Sequence, residues 1–137
     1  MDTANSDTRH ACEWLATAVY SLMDQGLYEE CAALFAEDGI WVRGEEVKGP
    51  AAIVEALNRR PAEQITRHLV TNVLVRVTSD TDATGTAVFF PFRGPRRADG
   101  TAPSPAAVSA GDLTFRFRRG AAGWKIAYLN PQFVFKD

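Results

Sequence analysis

Apolar residues recur every three or four positions through the first part of the chain and every second position through the rest. Ala11, Trp14, Leu15, Ala18, Val19 and Leu22 form one stripe at helical spacing, which predicts a first helix. Asn5, Ser6 and Asp7 are suited to cap its start, and Gly26 to stop it. Leu27, Cys31, Leu34 and Phe35 repeat the pattern over a shorter stretch, predicting a second helix that ends at Asp38-Gly39. Ile40-Trp41-Val42 reads as a short strand, and Glu45 to Gly49 as a polar turn. Pro50 is placed as a first-turn proline of a third helix with Ile53, Val54 and Leu57 on its apolar face.

After Pro61 the character changes. Thr66 to Thr78 is rich in β-branched residues and predicts a long strand. Asp80-Thr81-Asp82 is turn-like, and Ala83 to Phe92 predicts the next strand. Residues 94–107 are rich in Gly, Pro and Ala and predict a loop, of a length that often serves as a lid over a pocket mouth. Leu113, Phe115 and Phe117 alternate within a strand from Val108 to Arg118. A hairpin at Gly120–Gly123 leads into a last strand, Trp124 to Phe135. Helices first and strands after, with short connections, predict an α+β layout in which the helices gather on one face of a mainly antiparallel sheet. Such a sheet curved around its helices encloses one small-molecule pocket.

The chain of 137 residues fits a single domain spanning 1–137. With 46% hydrophobic and 23% charged residues, it has the composition of a folded globular domain. A net charge of −2 recruits no nucleic acid, and no apolar run reaches the roughly 20 residues of a membrane span. The first ten residues have no basic-then-apolar leader, so a cytoplasmic location is expected. Cys12 and Cys31 have neither metal-ligand nor disulfide spacing, and no metal site is expected. Charge is unevenly spread: residues 1–68 carry 6 basic and 12 acidic side chains, residues 69–137 carry 9 and 5. Acidic helices over a basic sheet explain this plainly; an anion-binding mouth at Arg93, Arg96 and Arg97 is the sharper explanation.

His68 is the first chemical candidate. Only two histidines exist, and His10 sits near the N-terminus. An imidazole can take or give a proton near neutrality, as general acid–base work requires. On the long strand His68, Val70, Asn72 and Leu74 are expected to share one face. Asp24 closes the first helix, where the macrodipole disfavours a carboxylate, so its placement is informative. Tyr20 lies one turn earlier on the same side, and its phenol could donate a hydrogen bond to a substrate carbonyl or enolate. Tyr28 and Tyr128 are weaker candidates for that role. Trp14, Phe35, Trp41, Phe90 and Phe92, with Val70, Asn72 and Tyr128, are expected to line the pocket; plain core packing is the alternative for the aromatics. Asp112 could supply a later acid, although it alternates with Leu113, Phe115 and Phe117.

Leu22-Met23-Asp24-Gln25-Gly26 followed by Leu34-Phe35-Ala36-Glu37-Asp38-Gly39 resembles the opening of SnoaL-like domains of the NTF2-like superfamily. Arg67-His68-Leu69-Val70-Thr71-Asn72 resembles their "RHxxTN" strand, and Gly123-Trp124-Lys125-Ile126 their "GWxI" final strand. The resemblance implies a cone-shaped α+β barrel, with three N-terminal helices on a curved sheet, usually dimeric through that sheet, with a mostly apolar central pocket. It also implies that His68 is a catalytic residue and that Asp24 orients and charges it, as in scytalone dehydratase and its relatives. Ketosteroid isomerases of the superfamily place a base aspartate where this chain has Arg43, and scytalone dehydratase has a second pocket histidine that Ala87 to Phe92 does not supply. The expectation is a homodimeric, cofactor-independent lyase or isomerase acting on an apolar oxygenated small molecule such as a polyketide. The alternative is a non-catalytic binding or scaffold domain like the β subunits of ring-hydroxylating dioxygenases.

Overall fold

The computed structural model describes residues 3–105 and 108–136. Its elements are α1 (Thr3–Asp24), α2 (Tyr28–Ala32), β1 (Phe35–Arg43), β2 (Glu45–Lys48), α3 (Pro50–Asn58), β3 (Gln64–Val77), β4 (Asp82–Pro95), β5 (Ala110–Gly120) and β6 (Gly123–Phe135). The six strands form one curved sheet in the order β2-β1-β6-β5-β4-β3. All neighbours are antiparallel except β1 and β6, which run parallel. The sheet does not close: β2 and β3 are its two edges. The three helices lie on it, α1 against β3 and β6, and α3 against β1 and β2, with α2 bridging α1 and α3. No helix among the described residues is long and apolar enough to cross a membrane.

The third helix and the four long strands fall where the pattern puts them; the region from residue 33 to 48 does not. The second helix ends at Ala32, and the chain is already a strand at Phe35. Phe35 pairs with Ile126 of β6, and Gly39 admits a close approach that a larger residue would block, since a Cβ there would sit 2.8 Å from the Ile126 carbonyl oxygen. Backbone pairing to a strand ninety residues away overrides the local helical spacing. The polar stretch Glu45–Lys48 is likewise a strand, turned back on β1 at Gly44, whose φ of +71° suits glycine. At the N-terminus, Asn5, Ser6 and Asp7 lie inside α1, which already runs from Thr3.

The α1 stripe is rotated relative to its expected position. Cys12, Leu15, Ala16, Val19, Tyr20 and Met23 are buried, while Trp14 is 58% exposed. The helix turns the face with small residues to the sheet because Ala16 and Cys12 allow closer approach than an indole would. The core then runs from this face through Ile53 and Leu57 of α3 to Leu113, Phe115 and Phe117 of β5 and Ile126 and Leu129 of β6. Each such fully buried side chain contributes roughly 1.5–3 kcal/mol relative to exposure.

Two irregularities shape one end of the sheet. In β3 the ladder to β4 slips between Thr71 and Leu74, and Asn72 takes a φ of 55°, the left-handed region that asparagine tolerates better than most residues. Past this bulge the inward positions are Val73, Val75 and Val77 rather than the even-numbered residues. The shared face expected for His68, Val70, Asn72 and Leu74 therefore ends at Val70; Asn72 is exposed and Leu74 is 52% exposed. In β4, pairing with β5 stops at Phe89–Gly111, while pairing with β3 runs on to Pro95. Beyond Phe89 β4 and β5 part, and Pro91 is tolerated because it has no β5 partner to donate to.

Candidate active site

The gap between β4 and β5 opens a cavity of about 820 Å³ on the helix side of the sheet. Tyr20 of α1, Trp41 of β1, His68 of β3, Phe89 and Phe92 of β4 and Phe133 of β6 line it. Its aromatic wall is continuous. The Tyr20 and Phe89 rings are 6.2 Å apart between centroids, and Phe89 and Phe133 are 5.5 Å apart. Gly111 makes this possible: a Cβ there would fall 2.6 Å from the Phe89 ring and 2.4 Å from the Gln132 carbonyl oxygen.

His68 stands in this wall with Asp24 behind it. Its Nδ1 lies 2.6 Å from Asp24 Oδ1, and its backbone N–H donates to Asp24 Oδ2 at 2.6 Å. The Thr66 hydroxyl donates to the same Oδ1 at 2.9 Å, and Arg60 Nη2 donates to Thr66 Oγ1 at 2.8 Å. The local sequence explains the geometry: Asp24 ends α1 where it meets the start of β3, and Thr66 and His68, two apart on the strand, face it together. The two side chains are nearly covered, at 12% and 9% exposure, so this is not a screened surface pair. Burial alone would raise the Asp24 carboxyl, but the hydrogen bond and charge of His68, its backbone N–H and the Thr66 hydroxyl together hold it below the usual carboxylate range. Facing the ionised Asp24, Nδ1 is the nitrogen that donates, so in the neutral imidazole the lone pair is on Nε2.

Tyr20 packs on His68, ring centroids 4.8 Å apart. Its hydroxyl is buried and has no hydrogen-bond partner among the described residues. Burial pushes this phenol far above its ordinary pKa, with Cys31 and Asp24 adding to the shift, so it is a neutral donor. Cys12 and Cys31 are buried thiols pushed up to about 12, first by burial, and are not nucleophiles; Cys31 Sγ donates to the Val19 carbonyl. No cluster of metal-ligating side chains occurs among the described residues.

The structure thus brings Tyr20, Asp24 and His68 into contact and sets Trp41 and Phe92 in the cavity wall. It places the other pocket-lining candidates elsewhere. Trp14 is on the outer side of α1, Phe35 is 3% exposed within the core, and Asn72 is turned outward by the bulge. Val70 borders a shallow groove between α1 and the β3 edge. Phe90 points to the opposite face of β4 from Phe89, and Tyr128 lies under the Arg116 guanidinium, 4.4 Å from its ring centroid. Tyr28 lines a smaller cleft near Arg60, and Asp112 is exposed. Of the long loop, Pro105 reaches the cavity wall; residues 106 and 107 lie outside the described residues.

Several lining residues were not singled out from the sequence: Arg43, Arg60, Thr66, Phe89, Pro91 and Phe133. For Phe89 a signal existed. Ala83, Gly85, Ala87 and Phe89 alternate with Thr84, Thr86 and Val88, and the two threonines mark the outer face. For Arg60, just past α3, and Phe133, near the end of the last strand, no local pattern points inward.

A model of the SnoaL-like domain matches residues 4–130 of the chain. None of the curated proteins matches it in sequence. Among solved structures, a Novosphingobium aromaticivorans protein with a proposed scytalone dehydratase assignment superposes with a TM-score of 0.82 at 20% identity, over 98% of this chain and 89% of the other. Hexachlorocyclohexane dehydrochlorinase LinA-type3 from Novosphingobium barchaimii does so with a TM-score of 0.82 at 19% identity, over 98% and 92%. A proposed aromatic ring hydroxylase from Novosphingobium aromaticivorans gives 0.77 at 21% identity, over 93% and 90%. At these identities the structural likeness speaks for the fold. The family match over nearly the whole length, on the helix-and-curved-sheet architecture described above, is what classifies the chain: it belongs to the SnoaL-like domain family of the NTF2-like superfamily.

Proposed function

We propose that the protein is a small-molecule lyase or isomerase that works by acid–base chemistry without an organic cofactor. The observation that carries this reading is the His68–Asp24 pair, 2.6 Å apart, set in the wall of a cavity of about 820 Å³ with aromatic sides. Asp24 holds the imidazole with Nε2 toward the cavity and stabilises the imidazolium that forms when Nε2 takes a proton. His68 would remove a proton from carbon next to a carbonyl or a leaving group, and the imidazolium would return it to a departing hydroxyl or to another carbon. Tyr20 would donate its unpartnered O–H to the substrate oxygen on which charge develops. Two of the structural neighbours, a dehydratase and a dehydrochlorinase by name, are named for eliminations, which is the same class of step.

The scaffold reading would suit a filled interior or a histidine on the outer face of the sheet. The open cavity and the inward His68 favour the enzyme. Protein purified from its own host and examined by native mass spectrometry should carry or capture an apolar oxygenated molecule. With that molecule as substrate, His68→Ala should lose turnover by roughly 10²–10⁴-fold. Full activity in His68→Ala removes the mechanism and makes the binding or scaffold reading the better one.

We also propose a homodimer through the outer face of β3 and β4. Leu69 and Leu74 are 58% and 52% exposed there, beside Val88 and Phe90, an apolar strip of the kind that paired surfaces cover. A 15 kDa species at micromolar concentration in sedimentation velocity would refute it.

A further inference from the structure

Three arginines line the His68 cavity: Arg43 from the end of β1, Arg60 just after α3 and Arg93 from β4. No aspartate or glutamate lines it among the described residues. None of the three arginines forms an ion pair among the described residues. Their hydrogen bonds leave most of their donors over. Arg43 Nη1 donates to the Ala56 carbonyl at 3.2 Å, and its guanidinium lies 5.3 Å from the Trp41 ring centroid. Arg60 donates to Thr66 and, at 3.5 Å, to the Met23 carbonyl. Each guanidinium has five N–H donors. The arginines also feel one another: Arg43 is held below its ordinary pKa first by burial and then by Arg60, Arg59 and Arg93. Arg43 and Arg93 are exposed and Arg60 is half-buried, so all three can present free N–H donors to an anion entering the cavity.

The register sets where such an anion would lie. Arg93 pairs with Thr66 across the β3–β4 ladder, and Pro91 pairs with His68. Arg93 is therefore one inward position along from His68, roughly 7 Å at the usual strand rise.

We propose that the cavity takes an organic anion, a carboxylate or phosphate carried on a flat apolar body. The oxyanion is held by Arg43 and Arg93 with Arg60 behind them, and the body lies against Trp41, Phe89 and Phe133 with its reacting carbon at His68. The substrate class so named rests on the reading of this cavity as the active site. It differs from the sequence expectation of an arginine mouth at Arg93, Arg96 and Arg97. Arg96 borders an adjoining, smaller cleft that shares Arg60 and Thr66 with the cavity, and Arg97 lines neither.

Isothermal titration calorimetry with 2-naphthoate, 2-naphthyl phosphate and the neutral 2-naphthalenemethanol tests the proposal. At least one of the two anions should bind about 10- to 100-fold more tightly than the alcohol, the range expected of charge-assisted hydrogen bonds. Which anion binds better separates a carboxylate site from a phosphate site. Arg43→Gln and Arg93→Gln should each lose about tenfold for the anion and leave the alcohol unchanged. Arg43→Lys should retain part of the preference, and Arg96→Gln all of it. Equal binding of anion and alcohol, an unchanged anion affinity in both Gln variants, or no binding of any probe overturns the proposal. His68→Ala should keep the preference for the anion over the alcohol, because the arginines carry it. If it also keeps full turnover while the arginine variants lose binding, the acid–base reading falls and the anion site stands.

Discussion

The two halves of the β3–β4 ribbon have the same strands and the same pairing, and they do opposite things. From the β3–β4 turn to the Asn72 bulge, β4 presents Ala83, Gly85 and Ala87 inward, small residues over which Phe115, Phe117 and Leu113 pack shut. A Cβ at Gly85 would sit 2.9 Å from the Phe117 ring, so this half is filled to contact. Beyond the bulge β4 presents Phe89, Pro91 and Arg93, β3 presents Thr66 and His68, and β5 has left the ladder. There the strands hold a cavity open. The contrast shows how one hairpin supplies both stability and a site: small inner residues bring layers together, whereas large ones on strands that have lost a neighbour stand as walls around space.

This division predicts that substitutions in one half should leave the property of the other nearly untouched. The largest effect is expected at His68, where replacement by Ala should lower turnover by roughly 10²–10⁴-fold. Urea unfolding of that variant should show a loss of about 1–3 kcal/mol, because Asp24 loses its imidazole partner but keeps the His68 backbone N–H and the Thr66 hydroxyl. In the closed half, Phe117→Ala removes a side chain that is 1% exposed and should cost about 3–5 kcal/mol of stability in the same measurement. Any of the protein that still folds should bind 2-naphthoate as before. If Phe117→Ala abolishes binding in folded protein, the two halves are not separable.

The boundary itself can be tested. Asn72→Val forces a β-branched side chain into a left-handed φ of 55° and should cost about 1–2 kcal/mol. Asn72→Gly should cost much less, and equal losses in the two would show that the bulge does not depend on this conformation. A further test is pH. Asp24 is held below the ordinary carboxylate pKa, so its contribution to stability is complete above about pH 4 and is lost as pH falls through its lower folded value. The parent should therefore lose more stability than Asp24→Asn on acidification below pH 4, and parallel acid-unfolding curves would exclude the effect. The smallest change is expected at Tyr20. Removing its unpartnered hydroxyl in Tyr20→Phe should leave stability unchanged or raise it by about 1 kcal/mol while turnover falls. A loss of stability there would mean that the hydroxyl has a partner in solution.

Much of this was legible in the chain. The four long strands and the Pro50 helix follow from spacing and turn chemistry, and the resemblance of the Asp24, His68 and Trp124 segments to SnoaL-like domains agrees with the family match. Helical spacing also put Tyr20 and Asp24 on one side of α1, because residues four apart share a face whatever the helix packs on.

What local pattern could not decide was set by partners distant in sequence. Phe35 is in a strand because Ile126 pairs with it, not because of its neighbours. Trp14 is outside because the sheet accepts the face with Ala16 and Cys12. The inward face of β3 changes at Asn72 because one inserted residue inverts a two-residue period. Arg43, Arg60 and Arg93 meet only where β1, the end of α3 and β4 surround the same space. By itself the sequence determined which segments would be helix or strand wherever periodicity was strong, and which side chains could do acid–base chemistry. Only the tertiary structure decided which of them face one cavity, since strand pairing and helix rotation depend on contacts that no short window of sequence contains.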